Sequence, residues 1–351
     1  MEVLQGMWKV TSRRLLATLG AGMLVATACG GGAAAPSPSA SAAGSASAAT
    51  VTQPTRNVEF VISTAVGGGS DIYARAMQAI IEEQKLSPQP VQPTNKEGGS
   101  GAVAFTYVFE KKGDMHYIMI TLNSFFTTIV TQPALPYKAT DFTPIANLAL
   151  DPFFLWVNED SPWKTAGDVI TAAKAKPLVA SGTGSKQEDE VMFLRIAELG
   201  GTLPFRYVPQ SGGGAVATAL AGHQGGVEVT VNNPSEGLGL YQQKKLRPLC
   251  AFMPASPTTG VYSGLATCKS QGLAIDDYYI MRAVMAPPGL SPAQQAFWVD
   301  VFKKVFESAK WKTFMDTNAL NPDFRSGIDF RTFINNYEKL HKDIATKNKW
   351  V

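Results

Sequence analysis

The sequence predicts an α/β protein folded as two lobes around a cleft, in the manner of a clamshell. Three observations carry this expectation. Two stretches, VEFVISTAVGGGSDIYARAM and PLVASGTGSKQEDEVMFLRIAELGG, each run from a β-branched strand through a glycine loop into an amphipathic helix. About 295 residues follow the low-complexity N-terminal region, a length that suggests two domains. Apolar segments near Phe153 to Val157 and near Ile275 to Met285 stand where a chain would cross to a second lobe and return.

The N-terminus reads as an export address. Lys9, Arg13 and Arg14 precede the apolar run LLATLGAGMLVATA, which is too short to span a bilayer and ends at Cys29. Residues 1–28 are expected to be a signal peptide, and Ser12-Arg13-Arg14-Leu15-Leu16 also allows twin-arginine export. Ala26-Thr27-Ala28 before Cys29 is similar to a bacterial lipoprotein box, without its usual leucine, so Cys29 is the expected lipidation site; plain cleavage is the alternative. Residues 29–56 are a tether: from Gly30 to Thr55 the chain is almost wholly small or polar, uncharged and unable to bury a core.

Losing the signal removes three basic residues and one acidic one, so the formal +3 becomes +1. That is no footprint for nucleic acid. No later run is apolar enough to cross a membrane, so membrane contact is expected through the lipid alone. Cys250 and Cys268 remain as an even pair in an oxidising compartment, either bonded or as two buried thiols.

Along the body, Val58 to Thr64 reads as a strand and a helix starts near Ser70 or Asp71, with Tyr73, Met77, Ile80 and Ile81 on its buried face. A strand around Val91, the turn NKEGGSG, a helix from Ala102 to Lys111 and the strand HYIMITL complete an open α/β sheet, whose ligands sit at the carboxyl ends of strands. In the second unit a helix covers Thr165 to Lys176. The strand PLVAS then leads through the loop GTGS to a helix that Ser185 and Glu188 are expected to open as a capping box. FRYVP, QSGGG, a helix AVATALAG and the strands VEVTV and LRPLCAF follow, then YYIMRAVMAP. A helical C-terminus is opened by the capping box Ser291-Pro292-Ala293-Gln294.

The chemistry lies in the loops. A helix N-terminus carries unsatisfied N–H groups and partial positive charge, and glycine lets backbone approach a ligand closely. At about 1.5–3 kcal/mol per charge-assisted bond, two loops can hold an oxyanion at about micromolar affinity without arginine. Rival motifs fail. Gly182-Thr183-Gly184-Ser185-Lys186 lacks the spacing of a nucleotide P-loop, and Ser161-Pro162-Trp163-Lys164 lacks the companions of a penicillin-interacting enzyme. His116, His223 and His341 are scattered, so no metal and no cofactor are expected. Glu188-Asp189-Glu190 reads as a solvated first turn serving its helix dipole. No nucleophile, base and orienting group assemble, which argues against an enzyme, including an exported serine hydrolase.

The ordered motifs VGGGSDIYAR, NKEGGSGAVA, DMHYIM, ATDFTPIANL, SGTGSKQEDE, RYVPQSGGGAVATALAGHQGGVEVTVNNPSE, KLRPLCAF and MRAVMAPPGLSP resemble the solute receptors of the tripartite tricarboxylate transporters, the Bug or TctC family, from about Val58 to the C-terminus. The departures are Ser63-Thr64-Ala65-Val66 in place of a proline-rich lead-in, His116 in place of a glycine, and Gln210 in place of a tyrosine; all three are expected to border the cleft. The resemblance implies a type II periplasmic-binding-protein (Venus-flytrap) fold. Lobe 1 would comprise residues 57–155 and 277–351, and lobe 2 residues 156–276. It implies a monomeric, extracytoplasmic receptor that passes an organic carboxylate, aliphatic or aromatic, to a two-subunit membrane permease; a ligand sensor for a membrane signalling system is the alternative. The carboxylate would lie against Gly67, Gly68, Gly69 and Ser70 in the first loop and Ser181, Gly182, Thr183, Gly184 and Ser185 in the second. Asn123, Ser124, Gln210, Ser211, Asn232 and Asn233 would line the cleft, although the last two can instead hold their own turn. Phe125 would wall an aromatic substituent or simply fill core, and Asp71 would fix the first loop's backbone. Ligand would favour the closed form because only closure brings both loops onto it.

Overall fold

The computed structural model describes residues 52–275 and 278–351. The expected signal segment, Cys29 and nearly all of the tether lie outside the described residues. Two mixed sheets organise the rest. The first lobe carries β1 (Val58–Ile62), α1 (Gly69–Glu83), β2 (Val91–Asn95), α2 (Ala102–Phe109), β3 (Tyr117–Thr121), α3 (Ser124–Thr131) and β4 (Thr143–Asp151). The chain then crosses to β5 (Phe154–Asn158), α4 (Ala166–Ala175), β6 (Val179–Thr183), α5 (Glu188–Gly200), β7 (Arg206–Gln210), α6 (Gly213–Ala221), β8 (Val229–Thr230), α7 (Pro234–Gln242) and β9 (Leu246–Ala251). It returns through β10 (Ile280–Ala286) to α8 (Pro292–Glu307), α9 (Ala309–Thr317), β11 (Asn321–Arg325) and α10 (Gly327–Lys347). The sheet orders are β11-β4-β10-β3-β1-β2 and β7-β6-β8-β5-β9.

Both sheets are covered on both faces, which is why their strands read as nearly continuous apolar runs. In the first, Phe60 and Ile62 face a cluster that includes Met77, Trp298, Phe302 and Trp311, while Val61 faces Phe105, Phe125, Phe142 and Phe330. In the second, Leu155 and Val157 face Val169, Met192 and Ile196, while Phe154 and Trp156 face Ala217, Leu220 and Tyr262. The parallel core β2-β1-β3 directs the carboxyl ends of its strands, and the N-termini of α1 and α3, toward the cleft. Parallel β7-β6-β8 does the same in the second lobe. Helix α10 straps the lobes together: Phe330 and Phe333 pack in the first, whereas Ile344 and the following Trp350 pack against the core of the second.

The structure corrects several local expectations. Lys186 has a left-handed φ of 57°, so α5 begins at Glu188 with Gln187 as its N-cap, and Ser185 caps nothing. Strand β6 runs on through Gly182 and Thr183, into what reads as loop. Phe125 is fully buried among Phe105, Phe126 and Phe142 and is core, not a ligand wall. His116 pins the tether's end rather than bordering the cleft: its Nε2 meets the Thr55 backbone N–H at 3.0 Å and its Nδ1 meets Asp114 at 2.7 Å. The capping box of α8 at Ser291 and Gln294 is present.

Cys250 and Cys268 are joined by a disulfide across a sequence separation of 18 residues. Closing a loop of that length restricts the unfolded chain by about 3 kcal/mol. The double variant Cys250→Ser/Cys268→Ser is therefore expected to lose about 2–4 kcal/mol of unfolding free energy in a urea titration.

Candidate ligand-binding cleft

The first glycine loop is built by its own helix. Asp71, in the first turn of α1, accepts the Gly67 N–H at 3.0 Å, and its second oxygen accepts from Arg75 at 2.9 Å and from Asn95 at 3.1 Å. Gly67 takes a left-handed φ of 80°, the turn that aims the next residues at the cleft. Asp71 thus fixes the loop backbone, and these partners hold its carboxyl below the usual range against the opposing effect of burial.

The loops of the two lobes meet backbone to backbone. A Cβ on Gly214 would lie 2.8 Å from the Gly67 carbonyl oxygen, and one on Gly213 would collide with the Glu236 carboxylate. Glu236 reaches across the cleft. Its Oε1 accepts the Gly69 N–H at 2.9 Å, and its Oε2 accepts from the Asn233 N–H and the Asn232 side chain, each at 3.1 Å. The amide expected to hold a ligand's carboxylate therefore holds a carboxylate of the opposite lobe.

Helix α5 repeats the pattern. Glu188 accepts the Ser124 N–H from the first lobe, and Asp189 accepts the Thr183 N–H at 2.6 Å. Both are almost fully buried, which overturns the expectation of a solvated turn. Burial pushes Glu188 up to about 7, with Glu236 adding to the rise and the Ser124 N–H and Arg282 opposing it. Burial likewise lifts Asp189 well above the carboxylate range, helped by Glu236 and Glu188.

The floor of the cleft is an ion pair. Arg282 of β10 donates to Asp151 of β4 from Nε at 2.9 Å and from a terminal nitrogen at 2.6 Å, and Tyr73 donates to the same oxygen at 2.9 Å. Arg282 also reaches Asn233 of the second lobe at 3.2 Å. Burial pushes Asp151 up to about 6 and Arg282 opposes the rise, so the pair stays ionised at neutral pH.

Two cavities lie between the lobes. An outer chamber of about 320 Å³ is lined by Ser63, Thr64 and the turn Glu97–Gly101 with Ser124 on one side, and by Thr183, Gly184, Gln187, Gln210 and Ser211 on the other. Deeper, a void of about 10 Å³ is bounded by Gly69, Ser70, Glu188, Asp189, Glu236 and Arg282 among others. Thr64 and Thr183 line both. The hydroxyls of Ser63 and Thr64 are buried without a hydrogen-bond partner. Among the described residues no group of three or more His, Cys, Asp or Glu side chains is placed to hold a metal ion, and no helix is long and apolar enough to cross a membrane.

Residues 74–349 match the model of the tripartite tricarboxylate transporter family receptor. The chain belongs to that family. A protein of Cupriavidus necator described as "UPF0065 protein in gbd 5'region" is 26% identical over 296 residues, 84% of this chain and 88% of that protein. Among solved structures, MatC from Rhodopseudomonas palustris with bound malate is 20% identical and superposes with a TM-score of 0.74, over 83% of this chain and 99% of that one. An R. palustris protein with adipate is 22% identical with a TM-score of 0.75, over 84% and 97%. These likenesses confirm the two-lobed periplasmic-binding-protein fold, and family membership makes the protein a solute-binding receptor and not an enzyme.

In this receptor the residues expected at the ligand fall into three groups. Ser124, Thr183, Gly184, Gln210 and Ser211 line the outer chamber, and Gly69, Ser70 and Asn233 line the void with Thr183. Gly67 and Gly68 shape the loop beside it, and exposed Ser185 stands at the rim, where its carbonyl accepts from Ser100 of the other lobe at 3.4 Å. The rest are committed to the fold. Asn123 ties the start of β10 through Tyr279 and Met281, and Ser181 donates to the Val208 carbonyl. Gly182 leaves room for Asp189 and the Tyr207 hydroxyl, and Asn232 holds Gly213 and Glu236. Sequence reasoning missed Glu236 and Arg282. For Glu236 the signal was present: Asn233-Pro234-Ser235-Glu236 has the cap, first-turn proline and third-position glutamate of a helix start. Arg282 is the single charge within the strand IMRAVMA, which marks a paired buried cation.

Closure depends on the glycine-to-glycine contact. Gly214→Ala is expected to raise amide exchange of the Gly67–Ser70 segment more than tenfold, by hydrogen-exchange mass spectrometry, while the unfolding midpoint changes little.

Proposed function

We propose that the protein is an exported, monomeric receptor, tethered through Cys29, that captures a small organic carboxylate between its lobes. It delivers the solute to the two-subunit permease of a tripartite tricarboxylate transporter. The outer chamber carries this reading. Its wall is hydroxyl, side-chain amide and glycine backbone, with Glu97 as its one charged lining residue. Two of the hydroxyls, on Ser63 and Thr64, are buried donors without a partner, and each can serve a carboxylate oxygen. Hydroxyl donors suit carboxylates such as the malate and adipate carried by the structures of two similar proteins. Two of the departures from the family pattern, Ser63-Thr64 and Gln210, lie in this wall, so the chamber's selectivity is this chain's own.

Binding works by differential affinity. The chamber takes walls from both lobes, so a solute meets all its donors only in the closed form and shifts the population toward it. A thermal-shift panel of aliphatic di- and tricarboxylates, aromatic acids, phosphate and sulfate tests the reading. At least one carboxylate class is expected to raise the melting temperature, because a ligand confined to the folded state stabilises it by mass action. Ser63→Ala/Thr64→Val is expected to weaken that shift by about tenfold in apparent affinity, equivalent to 1.4 kcal/mol. Turnover of a panel compound, or shifts by phosphate and sulfate alone, would remove the proposal.

A further inference from the structure

We propose that the loop from Phe252 to Thr267, stapled at its base by the Cys250–Cys268 disulfide, is an interlobe clasp that sets the closed position of the two lobes. Gly260 and Tyr262 are its positioning residues. The clasp acts on closure itself, whichever solute is bound.

The loop leaves β9 and comes back to it. The Ala251 N–H donates to the Ala266 carbonyl at 2.9 Å, the Cys268 N–H donates to the Ala251 carbonyl at 2.8 Å, and the disulfide closes the same base. Inside the loop, the Gly264 N–H donates to the Pro257 carbonyl at 2.9 Å and the Ser263 hydroxyl to the Thr258 carbonyl at 3.1 Å. A loop with joined ends and bonds of its own is a compact unit, so a push at its tip is carried through it.

Its tip reaches the first lobe. Gly260 takes a left-handed φ of 71°, and a Cβ there would lie 2.3 Å from the Asp316 carbonyl oxygen in the last turn of α9. The chain beyond α9 reaches back: Ala319 packs in the second lobe's cluster with Met253 and Tyr262. Helix α9 covers one face of the first sheet with Trp311 and Met315, while α10 covers the other with Phe330 and Phe333. The loop thus joins the lobes on the face opposite the α10 strap. A cavity of about 300 Å³ lies among Met253, Pro257, Met315 and Leu320 beside this contact, so continuous packing does not seal it and the lobes can part there.

The same loop reaches the cleft from behind. Tyr262 is almost fully buried, stacks on Tyr241 and donates its hydroxyl to the Pro234 carbonyl at 2.7 Å. Pro234 opens α7, whose first turn carries Glu236, the acceptor of the Gly69 N–H. One stapled unit therefore meets α9 of the first lobe with its tip and holds the Glu236 turn of the second through Tyr262. A displaced tip pulls on Pro234 and, through it, on the bond between Glu236 and Gly69.

Hydrogen-exchange mass spectrometry tests the clasp, read at Gly67–Ser70 in the opposite lobe. Gly260→Ala and Gly264→Ala each place a side chain at a left-handed position of this loop, φ 71° and 81°, but only the first meets the other lobe; a Cβ on Gly264 has nothing within 4 Å. Gly260→Ala is expected to raise exchange at Gly67–Ser70 at least threefold and Gly264→Ala to leave it unchanged, with exchange in β1 as the check that each variant folds. Tyr262→Phe, which removes only the hydroxyl, and Cys250→Ser/Cys268→Ser, which frees the base, are each expected to raise it likewise. No rise at Gly67–Ser70 in Gly260→Ala, or an equal rise in Gly264→Ala, overturns the clasp, since a merely structural loop would loosen only itself. No rise in Tyr262→Phe overturns the tie to Glu236, and none in the double cysteine variant removes the disulfide's part.

Discussion

One carboxylate, that of Glu236, holds the closed form together. It lies at the start of α7 in the second lobe, accepts from Asn232 and Asn233 beside it, and spends its other oxygen on the Gly69 N–H of the first lobe. Gly213 is glycine because Glu236 passes where its side chain would be, and Gly214 because the Gly67 carbonyl does the same. Gly214 thus clears the space in which the first lobe's loop docks, and Gly69 the space that Glu236 of the second lobe approaches. Glu188 adds a second interlobe bond to Ser124. At about 1.5–3 kcal/mol for each charge-assisted bond, the two supply about 3–6 kcal/mol, comparable with the 5.5 kcal/mol that moves a two-state equilibrium from 1:99 to 99:1. Desolvating the acids offsets part of that gain, which leaves the equilibrium within reach of a ligand.

Beneath this clamp, Arg282 and Asp151 tie the outgoing strand to the returning one. Their charges are buried, so truncating either leaves the other unpaired at a cost of about 3–5 kcal/mol. The pair fixes the hinge floor, Tyr73 and Asn233 orient it from the two lobes, and α10 straps the outside. Rigid lobes, a stiff floor and polar contacts at the mouth are the requirements of a two-state receptor.

Much of this was legible in the sequence. Strand–glycine–helix repeats gave the α/β lobes, and the glycine runs gave the loops that face the cleft, because glycine and cap residues act locally. Asp71 could be read as a loop fixer from the repulsion between like charges. Legibility failed where an answer depended on the opposite lobe. Glu188 and Asp189 satisfy the pattern of a solvated first turn, but Ser124 of the first lobe meets Glu188, and Thr183 and Gly182 of the preceding strand pack Asp189, so both are buried. Asn123 resembles a cleft residue yet serves β10, since its partners are about 160 residues away. His116 replaces a small residue in the motif, but its role is set by Thr55 and Asp114 at the other end of the strand.

The central claim is that the bond from the Gly69 N–H to Glu236 stabilises the closed form of the lobes. Small-angle scattering of the ligand-free protein and of Glu236→Ala tests it most directly. The account predicts a larger radius of gyration for the variant than for the unsubstituted protein, with unchanged secondary structure. Superimposable profiles from the two proteins would contradict it.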